Sequence, residues 1–467
     1  MLNEMKRHTH PFILALTALL VGSLLPSCHL YRHYERPETT FVDHLYRRIP
    51  TDTLPQESPS LTSWQWQDFF TDSLLRQWIT IGLRHNTDLR IAHLKVSEAE
   101  MTLKASRQAF LPAVSFNAQG SIQSVNAEAA NKSYNLSPTA SWEVDLFGRL
   151  QNAKRAAAAA LEQSKAYEQA VQTRLVASIA EGYYTLLMLD EQLKISRHTL
   201  ENWEENIRTL SALKRAGKTN EAAVLQAKAN KLSVESSVLT LERQIRAQEN
   251  AFCTLLAIVP QGIARGELSE QTFPEEFSLG VPMELVSRRP DVRQAEETLA
   301  EAYYLTQEAR AAFYPAITLG GTIGWSDGSG AAIANPASWL MSAVGQLTQP
   351  IFNRGRNKAN LKITQARQEQ AQLAFRQQLL EAGAEVNNAL ILWQTARQRL
   401  EVDKKQVMTL RAAVWNTKLL MKHGLTNYLE VLTAQQNLLQ AELTESTDKY
   451  DEIQGIITLY HALGGGL

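Results

Sequence analysis

The stretch Ser133–Asp145, "SYNLSPTASWEVD", alternates between apolar and polar positions. Tyr134, Leu136, Ala140, Trp142 and Val144 are apolar, and Asn135, Ser137, Thr139, Ser141 and Glu143 sit between them. A period of two marks a β-strand with one apolar and one polar face. The segment before it, "VSFNAQGSI", behaves alike: Val114, Phe116, Ala118 and Ile122 oppose Ser115, Asn117, Gln119 and Ser121. Further along, Ile317, Leu319, Ile323 and Trp325 oppose Ala316, Thr318, Thr322 and Ser326. Finally, Trp339, Met341, Ala343 and Leu347 oppose Ser342, Gln346 and Thr348, with Val344 as an exception. Pro138 removes one ladder donor, so a local bulge is expected there.

Most of the remaining chain has a helical pattern. One helix is expected from about Thr87 to Ala109, stopping before Pro112. From Leu146 to about Lys214 the chain is rich in Ala, Leu, Gln, Glu and Arg and holds no proline. These are good helix formers. About 65 residues at 1.5 Å per residue extend close to 100 Å. The turn "RAGKTN" offers Gly217 as a C-terminal stop, and a return helix follows to about Val259, before Pro260. The later half repeats the plan: Asn353 to about Lys422, a turn "HGLTN" around Gly424, and a return to about Leu463. In the first return helix, Val224, Leu225, Ala229, Leu232, Val238, Leu239 and Leu241 form a narrow stripe among polar residues. Such a helix is neither buried all round nor stable alone. It needs neighbours packed side by side, including neighbours from other chains.

The two halves also match in sequence. "DLRIA" at Asp88 pairs with "DVRQA" at Asp291, and "AFLPAVSF" at Ala109 with "AFYPAITL" at Ala312. "DLFGR" at Asp145 echoes "PIFNR" at Pro350, and "RAGKTNEAAVLQAKANKL" at Arg215 echoes "KHGLTNYLEVLTAQQNLL" at Lys422. Four blocks in the same order imply two copies of one unit. The expected organisation is a leader at 1–27, a tether at 28–62, a first repeat at 63–280 and a second at 281–467. Within the repeats, strands fall at about 111–145 and 315–350, and helical hairpins at about 146–259 and 353–463. The fold class is mainly α with a β-barrel portion.

The charges nearly cancel, with 47 basic and 48 acidic residues, so no nucleic-acid partner is expected. Mean hydropathy is −0.25, and no apolar run past the N-terminus is long enough for a spanning helix. Any membrane crossing must therefore use strands. The N-terminus itself has Lys6 and Arg7 before the apolar core "PFILALTALLVGSLL", the pattern of a signal peptide. Its end, "LPSC", resembles a bacterial lipobox, which makes Cys28 the lipid attachment residue; an ordinary secretory signal with a chance cysteine is the alternative. Only Cys253 then remains, in "NAFCTLLAIV", where a core thiol is expected. Pro37, Pro50, Pro55 and Pro59 make the tether an extended segment.

Alternating strands also suit a soluble sheet with one face on a core. The leader, and aromatic residues near strand ends (Tyr134, Trp142, Trp325, Trp339), point to a membrane barrel instead. Four strands cannot close such a barrel, and open edges cannot stand in lipid. Three chains would supply twelve strands.

The stretch "VPMELVSRRPDVRQAEETLAEAYYLTQEARAAFYPAITLGGTIG", Val281–Gly324, resembles the signature of the outer membrane factor (TolC) family, in its lipidated efflux branch of the OprM and NodT type. "SWEVDLFGR" and "WQDFFTDSLLRQWITIGLRHNTDLRIA" are similar to the family's strand-to-helix junction and entry segment. Tyr314 stands where the family commonly has Phe. The resemblance implies a homotrimeric duct, with a twelve-stranded barrel in the outer membrane and a helical barrel through the periplasm. It implies a periplasmic adaptor (a membrane fusion protein) and an inner-membrane RND-type pump as partners, outer-membrane lipid around the barrel, no cofactor and no enzymatic activity. In the family a gate lies near the second tip, which here assigns Leu429, Glu430 and Thr433. A ring of Glu430 carboxylates would favour cations; a solvated helix charge is the plainer alternative for that residue. Thr433 departs from the acid found there in the family. The turns at Gly217, Lys218, Thr219 and Asn220 and at Gly424, Leu425, Thr426 and Asn427 resemble the adaptor-docking tips. A type I secretion duct and a structural envelope lipoprotein are the rival readings. No nucleophile elbow, P-loop or metal-helix motif occurs, and His198 and His423 have no partner at ligand spacing.

Overall fold

A computed structural model describes residues 32–37, 65–124, 131–273, 289–327 and 339–465. The leader, Cys28 and most of the tether lie outside these residues. The helices in chain order are α1 (Trp66–Phe69), α2 (Ser73–His85), α3 (Thr87–Gln108), α4 (Arg149–Arg215), α5 (Glu221–Leu255), α6 (Pro290–Ala311), α7 (Arg356–Lys422) and α8 (Tyr428–Ala462). The strands are β1 (Ala113–Gln123), β2 (Asn131–Val144), β3 (Ala316–Asp327) and β4 (Trp339–Thr348). Helices α4 and α7 each have 67 residues, α5 and α8 each have 35, and α3 and α6 each have 22. No helix among the described residues is long and apolar enough to cross a membrane.

The chain divides into two compact units. One comprises residues 1–38, 95–165 and 294–376, and holds the sheet. Its four strands are antiparallel in the order β1-β2-β3-β4. The bulge expected at Pro138 does not form. Phe116 pairs with Pro138 and the β1–β2 register is unbroken. On the other side, pairing with β3 skips Ser137 and Pro138 and resumes at Thr139 in the same register. A residue's N–H serves one neighbour only, so the missing donor interrupts one ladder and inserts nothing. Gly324 permits this close approach, because a Cβ there would collide with Leu136 O and Ser137.

Both long helices start three residues later than the sequence pattern suggests. Gly148 (φ 74°) turns the chain before α4, and Arg354 (φ 58°) and Gly355 (φ 79°) turn it before α7. Asp145 then caps α4 by accepting from Gln151 N–H at 2.7 Å. In the same unit Val96 and Leu103 of α3 pack with Ala157 and Leu161 of α4. The described part of the tether is held there too: Arg36 pairs with Glu296 at 2.7 Å.

The other unit comprises residues 39–94, 166–293 and 377–467, and contains the main core. Phe69 is fully buried and stacks on Tyr460, with ring centroids 4.2 Å apart and planes 5° from parallel. Asp72 caps α2 through Leu74 N–H and accepts a 2.7 Å bond from the Tyr183 hydroxyl. Gly455 lets α8 approach α7, since a Cβ there would lie 2.8 Å from Trp393 Cα. Cys253 is buried in this core, as expected for a structural thiol. Helix α5 ends at Leu255, short of Val259. Ala257 takes the left-handed conformation (φ 55°), and Ile258 N–H closes on Cys253 O at 3.0 Å. That closure ends the helix before Pro260 has any part in it.

The stripe read along α5 is really two. Val224 and Val238 are buried together with Ala227 and Val234. Leu225, Leu232 and Leu239, spaced seven apart, are instead 54%, 63% and 64% exposed.

Candidate functional site: sheet faces and hairpin tips

The sheet register gathers the apolar positions of all four strands on one face, apart from Val344, which lines up with Gly320 and Ser141 on the other. Phe116 pairs with Pro138, Ala118 with Leu136, Leu136 with Trp325, and Trp325 with Trp339. Trp142 pairs with Leu319, Val144 with Ile317, Ile317 with Leu347, and Ile323 with Met341. Nothing among the described residues covers this face: Val114 is 74% exposed, Phe116 65% and Met341 80%. A soluble sheet would bury such residues, so the exposure discriminates between the two readings of the alternation.

The opposite face is polar and bonded to itself. Ser115 Oγ and Thr139 Oγ1 are 2.8 Å apart, Asn117 donates to Thr139 at 3.0 Å, and Ser121 and Ser133 are joined at 2.8 Å. Aromatic rings stand at both ends of the sheet. Trp325 and Trp339 meet edge to face at 6.0 Å near the far ends of β3 and β4. At the helix-bearing end, Trp142 donates to Phe110 O at 2.9 Å, and Phe147 stacks on Tyr314 at 5.0 Å. Among the described residues, strands β1 and β4 are each paired on one side only.

In the other unit, the two hairpin turns are built alike. Gly217 (φ 69°) follows α4, its N–H bonding Lys214 O at 2.9 Å, and Lys218 N–H bonds Leu213 O at 2.9 Å. Gly424 (φ 74°) follows α7 with the same pair of bonds, to Met421 O at 3.0 Å and from Leu425 N–H to Leu420 O at 3.0 Å. The left-handed conformation makes glycine the natural residue at both positions. Asn220 then caps α5 by accepting from Ala223 N–H at 3.0 Å. Asn427 caps α8 by accepting from Leu429 N–H at 2.9 Å and Glu430 N–H at 3.2 Å. Thr219 is half-buried at the first turn, whereas Leu425 is 74% exposed at the second.

Lys214 and Glu221 form an ion pair across the first turn, which holds the Glu221 carboxyl below its usual range. At the second, the Thr426 hydroxyl donates to the Glu430 carboxylate. That carboxylate sits in the first turn of α8, where the helix dipole favours it. Leu429, Glu430 and Thr433 are exposed beside buried Val431 and Leu432.

The sequence does not show the partners of two polar clusters in this unit. Arg289 is buried and binds Asp291 at 2.7 Å, Glu385 at 2.6 Å and Ala462 O at 2.7 Å. Asp403 of α7 and Asp448 of α8 are both buried, and Asp403 Oδ2 and both Asp448 oxygens lack a hydrogen-bond donor. Among the described residues, no cluster of His, Cys, Asp or Glu is arranged to hold a metal ion.

A two-faced sheet bare on its apolar side, joined to hairpins of very long helices, defines the class of membrane channels built from strands and helical ducts. The comparisons agree. The family model described as "Outer membrane efflux protein" matches residues 78–257 and again 281–465. Cation efflux system protein CusC of Escherichia coli O6:H1 is 28% identical over 451 residues, covering 96% of this chain and 97% of the relative. Probable outer membrane lipoprotein SilC of Salmonella typhimurium is 30% identical over 441 residues, covering 90% and 94%. The open state of the MtrE outer membrane channel of Neisseria gonorrhoeae superposes with a TM-score of 0.85 at 28% identity, covering 93% of this chain and 98% of that one. The chain belongs to the outer membrane efflux protein family. It is an outer-membrane channel of an efflux system.

Proposed function

We propose that three copies of this chain close a twelve-stranded barrel and form a passive exit duct, without catalysis or cofactor. The observation that carries the reading is the continuous apolar face of the sheet, which the described residues leave uncovered and whose outer strands they pair on one side only. In lipid every edge N–H and C=O must be paired, and neighbouring copies supply the pairing. The exposed heptad Leu225, Leu232 and Leu239 supports the same view, since helices with such a seam pack against further helices. The equal helix lengths in the two halves support two structural repeats, 63–280 and 281–467.

The finer assignments follow. Cys28 carries the lipid anchor, which the mass of the mature N-terminus checks. The turns at Gly217–Asn220 and Gly424–Asn427 meet a periplasmic adaptor coupled to an inner-membrane RND-type pump, which crosslinking from Leu425 checks. Leu429, Glu430 and Thr433 line the gate. Three exposed Glu430 carboxylates would form an anionic ring favouring cations. The experiment is conductance of the purified trimer in planar bilayers. Open, cation-preferring channels whose preference falls in Glu430→Gln are expected. Absence of any conductance, in wild type and variant alike, contradicts the duct.

A further inference from the structure

Midway along the second hairpin, α7 and α8 press two acids together. Asp403 is 9% exposed and Asp448 is fully buried. Asp403 Oδ2 and both Asp448 oxygens find no hydrogen-bond donor. Arg399 of α7 approaches Asp448 Oδ1 at 2.5 Å, but off the direction a hydrogen bond needs. Its side chain is 54% exposed, so water screens the pair.

The other charges nearby do not restore the balance. Asp451 on α8 adds a third carboxylate acting on Asp448. Lys404 on α7 is engaged by Glu401 at 2.9 Å. Lys449 on α8 is half-buried, and burial and then Lys404 disfavour its charge against the pull of Glu452, Glu445 and, from α4, Glu191. The α4 contact beside Asp448 is neutral, with Gln192 donating to the Thr447 hydroxyl at 3.1 Å. Two facing carboxylates in a poorly solvated site cannot both stay ionised without cost. One shared proton turns mutual repulsion into a hydrogen bond and supplies the missing donor.

We propose that Asp403 and Asp448 form a proton-operated clasp between α7 and α8, closed when the pair shares one proton and loosened when both are ionised. Burial, and then the neighbouring Asp403 carboxyl, push the Asp448 carboxyl up from 3.8 to about 6. A carboxyl raised on folding binds its proton more tightly in the folded chain. Its stabilising contribution is therefore full below the ordinary value of 3.8 and is lost as pH rises through about 6. The hairpin that the clasp joins also bears Leu429, Glu430 and Thr433. Mild acid would accordingly hold the gate helix in place, a consequence that rests on the duct reading.

The test is thermal unfolding of the purified full-length protein at pH 5 and pH 7.5, for wild type, Asp448→Asn and Asp403→Asn. Other groups titrate in this range, so the quantity read is the difference between wild type and variant. Each variant should shrink the gain in Tm that wild type shows on acidification, and Asp448→Asn should have the higher Tm of the two proteins at pH 7.5. A pH response identical to wild type in both variants overturns the clasp. Should a variant fail to fold, wild-type hydrogen exchange decides. Amides around Asp403 and Asp448 should be better protected at pH 5 after correction for intrinsic rates, and equal protection overturns the proposal. Conductance separates the two readings: a non-conducting protein that keeps the Tm signature retains the clasp and loses the duct.

Discussion

Phe116 in the sheet and Phe69 in the helical core are the same side chain in opposite circumstances. Phe116 is 65% exposed on a face that nothing among the described residues covers. Phe69 is fully buried, stacked on Tyr460 and in edge contact with Phe70. The core region buries its apolar residues with its own chain, through short helices fitted against α4, α5 and α8. The sheet region leaves them bare, yet in perfect register on one face. The apolar residues of the core are therefore fitted to one another, whereas those of the sheet have no cover among the described residues. The same physics of burial operates in both, but only in the core is it complete within one chain.

The largest effect should come from the self-sufficient region. Phe69→Ala removes a stacked, buried ring, a change that costs about 3–5 kcal/mol in ordinary cores, and detergent-purified protein should lose that much in denaturant unfolding. Phe116→Ala should change the same measurement by less than about 0.5 kcal/mol, as surface substitutions do. Equal losses would erase the contrast. Next comes Ile323→Lys, on the apolar face in the middle of β3, for which a lipid-facing cation costs about 2–4 kcal/mol near the bilayer midplane. It should deplete the protein from the outer-membrane fraction, while Thr322→Lys on the polar face should assemble normally. The smallest effect is expected at the second hairpin tip, where Asn427→Ala removes a cap worth about 1 kcal/mol. Hydrogen exchange should show the first turn of α8 fraying with the sheet unaffected.

Much of this was legible in the sequence, for reasons that differ by element. The strand faces could be read because a side-chain period of two leaves no freedom in which residues share a side. The hairpin tips could be read because Gly217, Gly424 and the Asn residues after them are local signals for left-handed stops and caps. The Pro138 bulge failed because the sequence names the missing donor but not which neighbour it would have served. The end of α5 was misplaced because Ala257 occupies a conformation that usually announces itself with glycine. The seam on α5 was read as one stripe because Val224 and Leu225 are adjacent and equally apolar, and only packing separates the buried one from the exposed one. Arg289 with Glu385, and Asp403 with Asp448, were invisible because their partners lie on other helices or far along the hairpin. The gate assignment of Leu429, Glu430 and Thr433 rests on family resemblance and that of Cys28 on the lipobox-like "LPSC"; the structure shows the first three exposed at the second tip.

The central claim is that the two faces of the sheet meet different media. Single cysteines placed one at a time from Val114 to Gln119, in a protein whose own Cys253 is buried, test it most directly. After reconstitution in lipid, cysteines at 115, 117 and 119 should react with a water-soluble maleimide, and those at 114, 116 and 118 should be protected. Fluorophores attached at that second set in detergent should be quenched by lipid-borne quenchers once reconstituted. Reactivity that is uniform along the strand, or alternates in the opposite phase, would contradict the account.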